Sequence, residues 1–250
     1  MRGYQYEFSR HCDAVHDLET RRRKADTLLV VLREVLAGRL EEAVVLDVGA
    51  STGAIDAVLA EHAAHVTGVD IDNPAIARAK ALFERPNLDF LSGDAMRLKF
   101  PDAHFDVAIC MHVYEHVPDD TQLMKEIARV LKPGGVCYFS AGNRLAVMEP
   151  HYRLPFLSWL PRSLADLYMR LGRKGDRYYE AHRTYAKLKH LVEGFELIDY
   201  TRRLIAEPER YLTSYMVSPG SLKQRLALWI VDHLAWLCPG YVWILRKPPR

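Results

Sequence analysis

The chain has 250 residues, 49% of them hydrophobic, and a formal net charge of +2 at neutral pH. That is apolar material for one full α/β core with an insertion, and the charge balance excludes the strongly basic surface of a nucleic-acid-binding protein.

In chain order, residues 1–20 mix aromatics, histidines and charges without periodicity. A helix is predicted over 21–36, because Leu28, Leu29, Val31, Leu32, Val35 and Leu36 share one face. Its opening R-R-R-K reads as a solvated first turn. Residues 44–48, V-V-L-D-V, form a strand that leads into G-A-S-T-G and an Ala-rich helix at 54–63. Gly49 allows a sharp turn that brings main-chain N–H groups close to a ligand, where a side chain would block the approach. A second strand at 66–71 contains Asp70, about 20 residues past the turn, where nucleotide folds place an acid for ribose hydroxyls. Pro74 at a first-turn position, with Asp72 or Asn73 as cap, opens a helix at 75–84. Residues 88–92 form a third strand running into Gly93-Asp94-Ala95. A fourth at 105–111 is followed by H-V-Y-E-H-V-P.

A helix at 121–131 turns Leu123, Ile127, Val130 and Leu131 inward, ends at Pro133-Gly134, and precedes a fifth strand at 136–140. Such alternation forces parallel strands with right-handed crossovers. After Asn143 the pattern breaks into an aromatic-rich, basic insertion punctuated by Pro150, Pro155 and Pro161. A helix at 185–192, a sixth strand at 195–204, an amphipathic stretch at 222–237 and a last strand at 241–245 follow. The expected organisation is 1–40 as N-terminal helices or lid, 41–143 as the binding core, 144–193 as the insertion, and 194–250 completing the sheet.

The motifs D-V-G-A-S-T-G, G-V-D-I, S-G-D-A, F-D-V-A-I-C-M-H-V-Y-E-H-V-P-D and R-V-L-K-P-G-G occur in this order. Their series resembles the class I S-adenosylmethionine-dependent methyltransferases, within them the type 11 branch that holds ubiquinone- and menaquinone-pathway enzymes. The resemblance covers residues 41–143. It implies a Rossmann-like seven-stranded sheet, mostly parallel with an antiparallel last strand and helices on both faces. It also implies S-adenosylmethionine as cofactor, and an N-terminal segment folded over the active site. A dinucleotide turn would need G-x-G-x-x-G beneath a pyrophosphate. Here Asp47 stands at the start of the turn, where it repels phosphate and suits a cationic cofactor.

By position in the family, Gly49, Ala50, Ser51 and Gly53 face the methionine part, with Asp47 supporting the turn or the ammonium. Asp70, followed by Ile71, takes the ribose hydroxyls. Asp94 accepts from the adenine amino group beside the Ala95 backbone, and Met111 offers its carbonyl. Methyl transfer from a sulfonium needs alignment and, for a hydroxyl acceptor, proton removal. His116 is the leading base, then His112, with Glu115 beside them; Tyr114 is packing. The string H-x-x-E-H also marks inverted zinc peptidases, but it follows a strand here and stops at Pro118, which rejects the peptidase. The resemblance also implies a divalent ion at this place, held by two acids and a histidine in some quinone-pathway relatives, but His112 stands at the first acid's position, so no metal is assigned.

The expected reaction is O-methylation of a hydroxyl on a small-molecule, glycan or lipid-linked acceptor. C- or N-methylation of a metabolite, or a silent cofactor-binding subunit, are the alternatives. Nucleic acid is not expected as a partner. The insertion reads as a lid over the pocket, or as a peripheral membrane contact through 144–183 or 222–237. Four cysteines, Cys12, Cys110, Cys137 and Cys238, without C-x-x-C suggest neither a zinc ribbon nor a disulfide framework. With no signal-peptide core at the N-terminus, a cytoplasmic protein resting at most on the inner membrane surface is expected.

Overall fold

The computed structural model describes residues 6–10 and 16–249; Cys12 lies outside them. Seven strands form one sheet: β1 (Val44–Val48), β2 (His65–Asp70), β3 (Leu88–Ser92), β4 (Phe105–Met111), β5 (Leu131–Gly142), β6 (Glu196–Asp199) and β7 (Gly240–Arg246). Their order is β3-β2-β1-β4-β5-β7-β6. The first five pair in parallel, and β7 runs antiparallel to both β5 and β6. The order reverses between β1 and β4, so a crevice opens at the carboxyl ends of these strands, where such sheets bind ligands.

Helices cover both faces. α1 (Leu18–Val35) is capped by Asp17, which accepts from the Thr20 N–H, and buries Leu28, Val31 and Leu32 in one core with Ile55, Val58 and Leu59 of α2 (Ala54–Leu59). α3 (Asn73–Leu82) starts as expected, with Asp72 as cap and Pro74 in its first turn. On the opposite face α4 (Asp120–Val130) buries Leu123, Met124, Ile127 and Val130 against Phe105, Cys110, Phe139 and Trp243. Each fully buried Leu or Ile contributes about 1.5–3 kcal/mol, so β1, β4 and β5, buried on both sides, hold the crevice rigidly. Cys110, Cys137 and Cys238 are buried free thiols.

The second half departs from the expected elements. The sixth strand ends at Asp199, and α7 (Thr201–Ala206) replaces its remainder. Asp199 accepts the Thr201 N–H at 2.7 Å, turning the chain. Tyr200 and Leu204 then pack into the α1 core, where Glu34 accepts from the Tyr200 and Tyr211 hydroxyls and pairs with Arg203 and Arg210. This tertiary docking overrides a run that alternates like a strand.

The insertion holds α5 (Arg162–Leu171) and a small core of its own, Leu157, Ala165, Met169 and Tyr178. α6 (Tyr185–Leu191) and α8 (Leu222–His233) complete the α-helices among the described residues. Among the described residues, no helix is long and apolar enough to cross a membrane.

Candidate functional site

A cavity of about 310 Å³ lies at the carboxyl ends of β1, β2 and β4. Gly49, Ser51, Asp70, Ile71, Asp94, Ala95, Met111, His112 and His116 line it, together with Phe8, Arg21, Lys24, Pro150 and His151. Asp47, Ala50, Gly53 and Glu115 are not on its wall.

The loop after β1 is held in left-handed backbone at Gly49 (φ +87), Ser51 (φ +52) and Gly53 (φ +75). A Cβ at Gly49 would stand 2.4 Å from Val113 Cγ2, so the glycine admits the segment after β4 as well as freeing the loop N–H groups. At Gly53 a Cβ would meet Phe90 at 2.4 Å; that glycine serves helix–sheet packing. The Asp70 carboxylate accepts the Ser51 N–H at 2.8 Å and the Asp72 N–H at 2.9 Å, which fixes it at the cavity edge with lone pairs to spare. Asp94 accepts the Met96 N–H at 2.8 Å.

Asp47 is 4% exposed and Asp56 is fully buried. Burial pushes Asp47 up to about 7, with Arg21 opposing and the Asp70 charge adding. Burial and then the Asp47 charge raise Asp56, neither of whose oxygens has a hydrogen-bond partner among the described residues. Two buried carboxyls this close retain a proton toward neutral pH. Asp47 therefore supports the loop from beneath and does not reach the cavity.

At the end of β4, His112 adopts φ +57, an uncommon backbone for a histidine. Its Nδ1 is 3.2 Å from Glu115 Oε1 and its Nε2 3.2 Å from Ser140 Oγ. Against its complete burial, the hydrogen bond and charge of His112 hold the Glu115 carboxyl well below the usual carboxylate range. An ionised carboxylate only accepts, so Nδ1 carries a hydrogen, and in the neutral ring Nε2 is then the acceptor. His116 packs on Phe8 with ring centroids 4.9 Å apart, and on His151 at 5.1 Å. Burial pushes its imidazole down to about 4, with the Glu115 charge opposing. Residues 112–117 form a turn, not a helix. Tyr114 is buried, its hydroxyl donating to the Gly142 carbonyl at 2.6 Å, as packing requires.

Sequence reasoning missed three contributions. Arg21 and Lys24, one helical turn apart on α1, face the cavity, whereas only Arg22 and Arg23 of the R-R-R-K run are exposed. Their i, i+3 spacing on the edge of the apolar face was the available signal. Phe8 also reaches the wall, on a turn tied down by the Ser9 N–H donating to Asp72 at 2.7 Å. The insertion, finally, delivers Glu149, His151, Glu180 and His182 beside the post-β4 turn, with no local pattern to announce them.

Residues 46–139 match a family model described as "Methyltransferase domain". The chain is 40% identical over 102 residues to a ubiquinone biosynthesis O-methyltransferase of Coxiella burnetii, covering 40% of this chain and 44% of that protein. It is 33% identical over 170 residues to the enzyme of the same name from Albidiferax ferrireducens, covering 64% of this chain and 65% of that protein. The chain thus spans about half to two thirds of the length of these relatives. The fold is similar to that of an S-adenosylmethionine-dependent methyltransferase from Mesorhizobium loti, with a TM-score of 0.56, 19% identity, and 87% and 96% of the two chains covered.

Proposed function

We propose that this chain, whose residues 46–139 are a class I S-adenosylmethionine-dependent methyltransferase domain, methylates a hydroxyl oxygen of a small phenol- or quinol-like acceptor. The observation that carries the reading is His112, fixed on the cavity wall between buried Glu115 and Ser140 with Nε2 as acceptor. The names of the relatives support hydroxyl as the acceptor group.

The cavity's chemistry fits the cofactor. Asp70 presents lone pairs to ribose hydroxyls, and Asp94 with the Ala95 backbone and Ile71 suits the adenine. Arg21 and Lys24 supply positive charge for a carboxylate, while the Gly49–Ser51 backbone and the Met111 carbonyl face the amino-acid portion. When bound, S-adenosylmethionine supplies an electrophilic methyl on a sulfonium that leaves as a neutral thioether. The protein's part is alignment and proton removal. Once the Ser140 hydroxyl turns its hydrogen away, His112 Nε2 would take the acceptor's proton, and Glu115 would orient the ring and stabilise the imidazolium that forms. His112 thus comes before His116 as base, because His116 is the more enclosed and its burial disfavours the imidazolium that proton removal would form.

The test is methyl transfer to a panel of phenols and quinols. His112→Ala should lower kcat by about 10²–10⁴ while leaving cofactor affinity within a few-fold. Wild-type kcat in His112→Ala would overturn the assignment.

The insertion bears on the acceptor's tail. α5 buries Ala165 and Met169 and leaves Leu164, Leu167 and Leu171 exposed. A lid closing over the cavity would turn those leucines inward. Their outward stripe, bordered by Arg162, Arg170, Arg173 and Lys174, supports contact with an anionic lipid surface that presents a lipid-tailed acceptor.

A further inference from the structure

The insertion also assembles a group of donors that the methyl-transfer reading does not use. Glu149 and His151 lie near its start and His182 near its end, 33 positions beyond Glu149. One Glu149 oxygen, Oε2, is fixed by the His151 and Tyr152 N–H groups at 2.8 and 2.7 Å. The other, Oε1, is turned to two imidazoles, 2.8 Å from His151 Nδ1 and 3.4 Å from His182 Nε2. One donor atom from each of the three residues lies within 4.8 Å of the others. Glu149 and His182 are buried, and His151 forms part of the cavity wall.

A second observation points the same way. Glu180 has a fully buried side chain; its Oε1 accepts from the Tyr152 hydroxyl at 3.3 Å and stands 3.9 Å from His116 Nδ1. Its Oε2 has no hydrogen-bond partner among the described residues, and neither has Oε2 of buried Glu115. The ion-pair partners of Glu115, Glu149 and Glu180 among the described residues are histidines, with no Lys or Arg. Three enclosed carboxylates whose ion-pair partners among the described residues are imidazoles alone form a setting that a divalent cation would neutralise.

We propose that Glu149, His151 and His182 hold one divalent transition-metal ion, with zinc the best match to two imidazoles and a carboxylate. Imidazole ligands select zinc or cobalt over magnesium. The ligands come from both ends of the insertion, so the ion ties that segment over the cavity, with the position next to His151 open toward it. Glu180 stands behind the ligands, its Oε1 hydrogen-bonded to the Tyr152 hydroxyl. His151 also lies within 4.8 Å of donor atoms of Glu115 and His116, so the turn after β4 borders this donor set.

The experiment uses the full chain, stripped by dialysis against a chelator and then loaded with zinc alone or cobalt(II) alone. Wild type should retain one equivalent of zinc through gel filtration, show the visible absorption of four-coordinate cobalt(II), and melt higher when loaded. His182→Gln and Glu149→Gln should each weaken zinc binding about tenfold or more, while His112→Gln binds as wild type. Should Glu149→Gln fail to fold, His182→Gln gives the same readout. Wild type without stoichiometric zinc, or His182→Gln with wild-type affinity, would overturn the proposal. Loss on His112→Gln would too, by moving the ion to the turn after β4. No readout depends on methyl transfer, so failure here leaves the proposed activity standing.

Discussion

The cofactor half, β1 to β4, and the insertion that follows β5 build their polar sites by different means. In the first half Asp70 and Asp94 are fixed by backbone N–H groups, Asp70 by those of Ser51 and Asp72. In the insertion backbone N–H groups hold one Glu149 oxygen, and side-chain pairs join distant segments, Glu149 with His182 and His116 with Glu180. The first half is buried on both faces of a parallel sheet, while the insertion rests on a core of Leu157, Ala165, Met169 and Tyr178. Local backbone geometry therefore shapes the cavity at the strand ends, and long-range side-chain pairing shapes the insertion beside it.

Gly49→Ala strikes the first half hardest. The new Cβ would meet Val113 Cγ2 at 2.4 Å in left-handed backbone, so about 3 kcal/mol of stability or more should be lost. A wild-type Tm would break the claim that backbone geometry rules this half. Asp70→Ala should weaken S-adenosylmethionine binding by about 1–3 kcal/mol in calorimetry, the worth of its hydrogen bonds. Unchanged affinity would displace the ribose from the end of β2.

A third test reads the acids beneath the loop. With its folded-state pKa raised from 3.8 to about 7, Asp47 holds a proton that the unfolded chain releases. Stability from this pair is therefore full below about pH 4 and falls as pH rises through 7. Asp56→Asn removes the second carboxyl, and should flatten that slope and raise Tm at pH 8 by on the order of 5 °C. A slope identical to wild type would show that the pair does not titrate.

The smallest effect sharpens the insertion's side. Leu167→Glu with Leu171→Glu should reduce retention on anionic liposomes several-fold, leaving Tm and cofactor affinity within error, because both leucines are exposed. A large fall in Tm would mean that the stripe is packed, and equal retention that it does not meet lipid.

The boundaries of β3 and β4, the Asp72 cap and the left-handed glycines were legible because each rests on neighbours in sequence: β-branched runs, a capping acid, a turn no other residue tolerates. The family resemblance likewise put Asp70, Asp94 and His112 at strand ends, which in this structure meet at one cavity wall. Only the tertiary structure sank Asp47 beneath the loop and turned Arg21 and Lys24 to the cavity. It also broke the sixth strand at Asp199, and gathered Glu149, His151, Glu180 and His182 around His116. Those outcomes depend on which helix face meets the sheet and on where two ends of an insertion converge. Such contacts are fixed by burial and charge balance across long sequence separations, which no local pattern encodes.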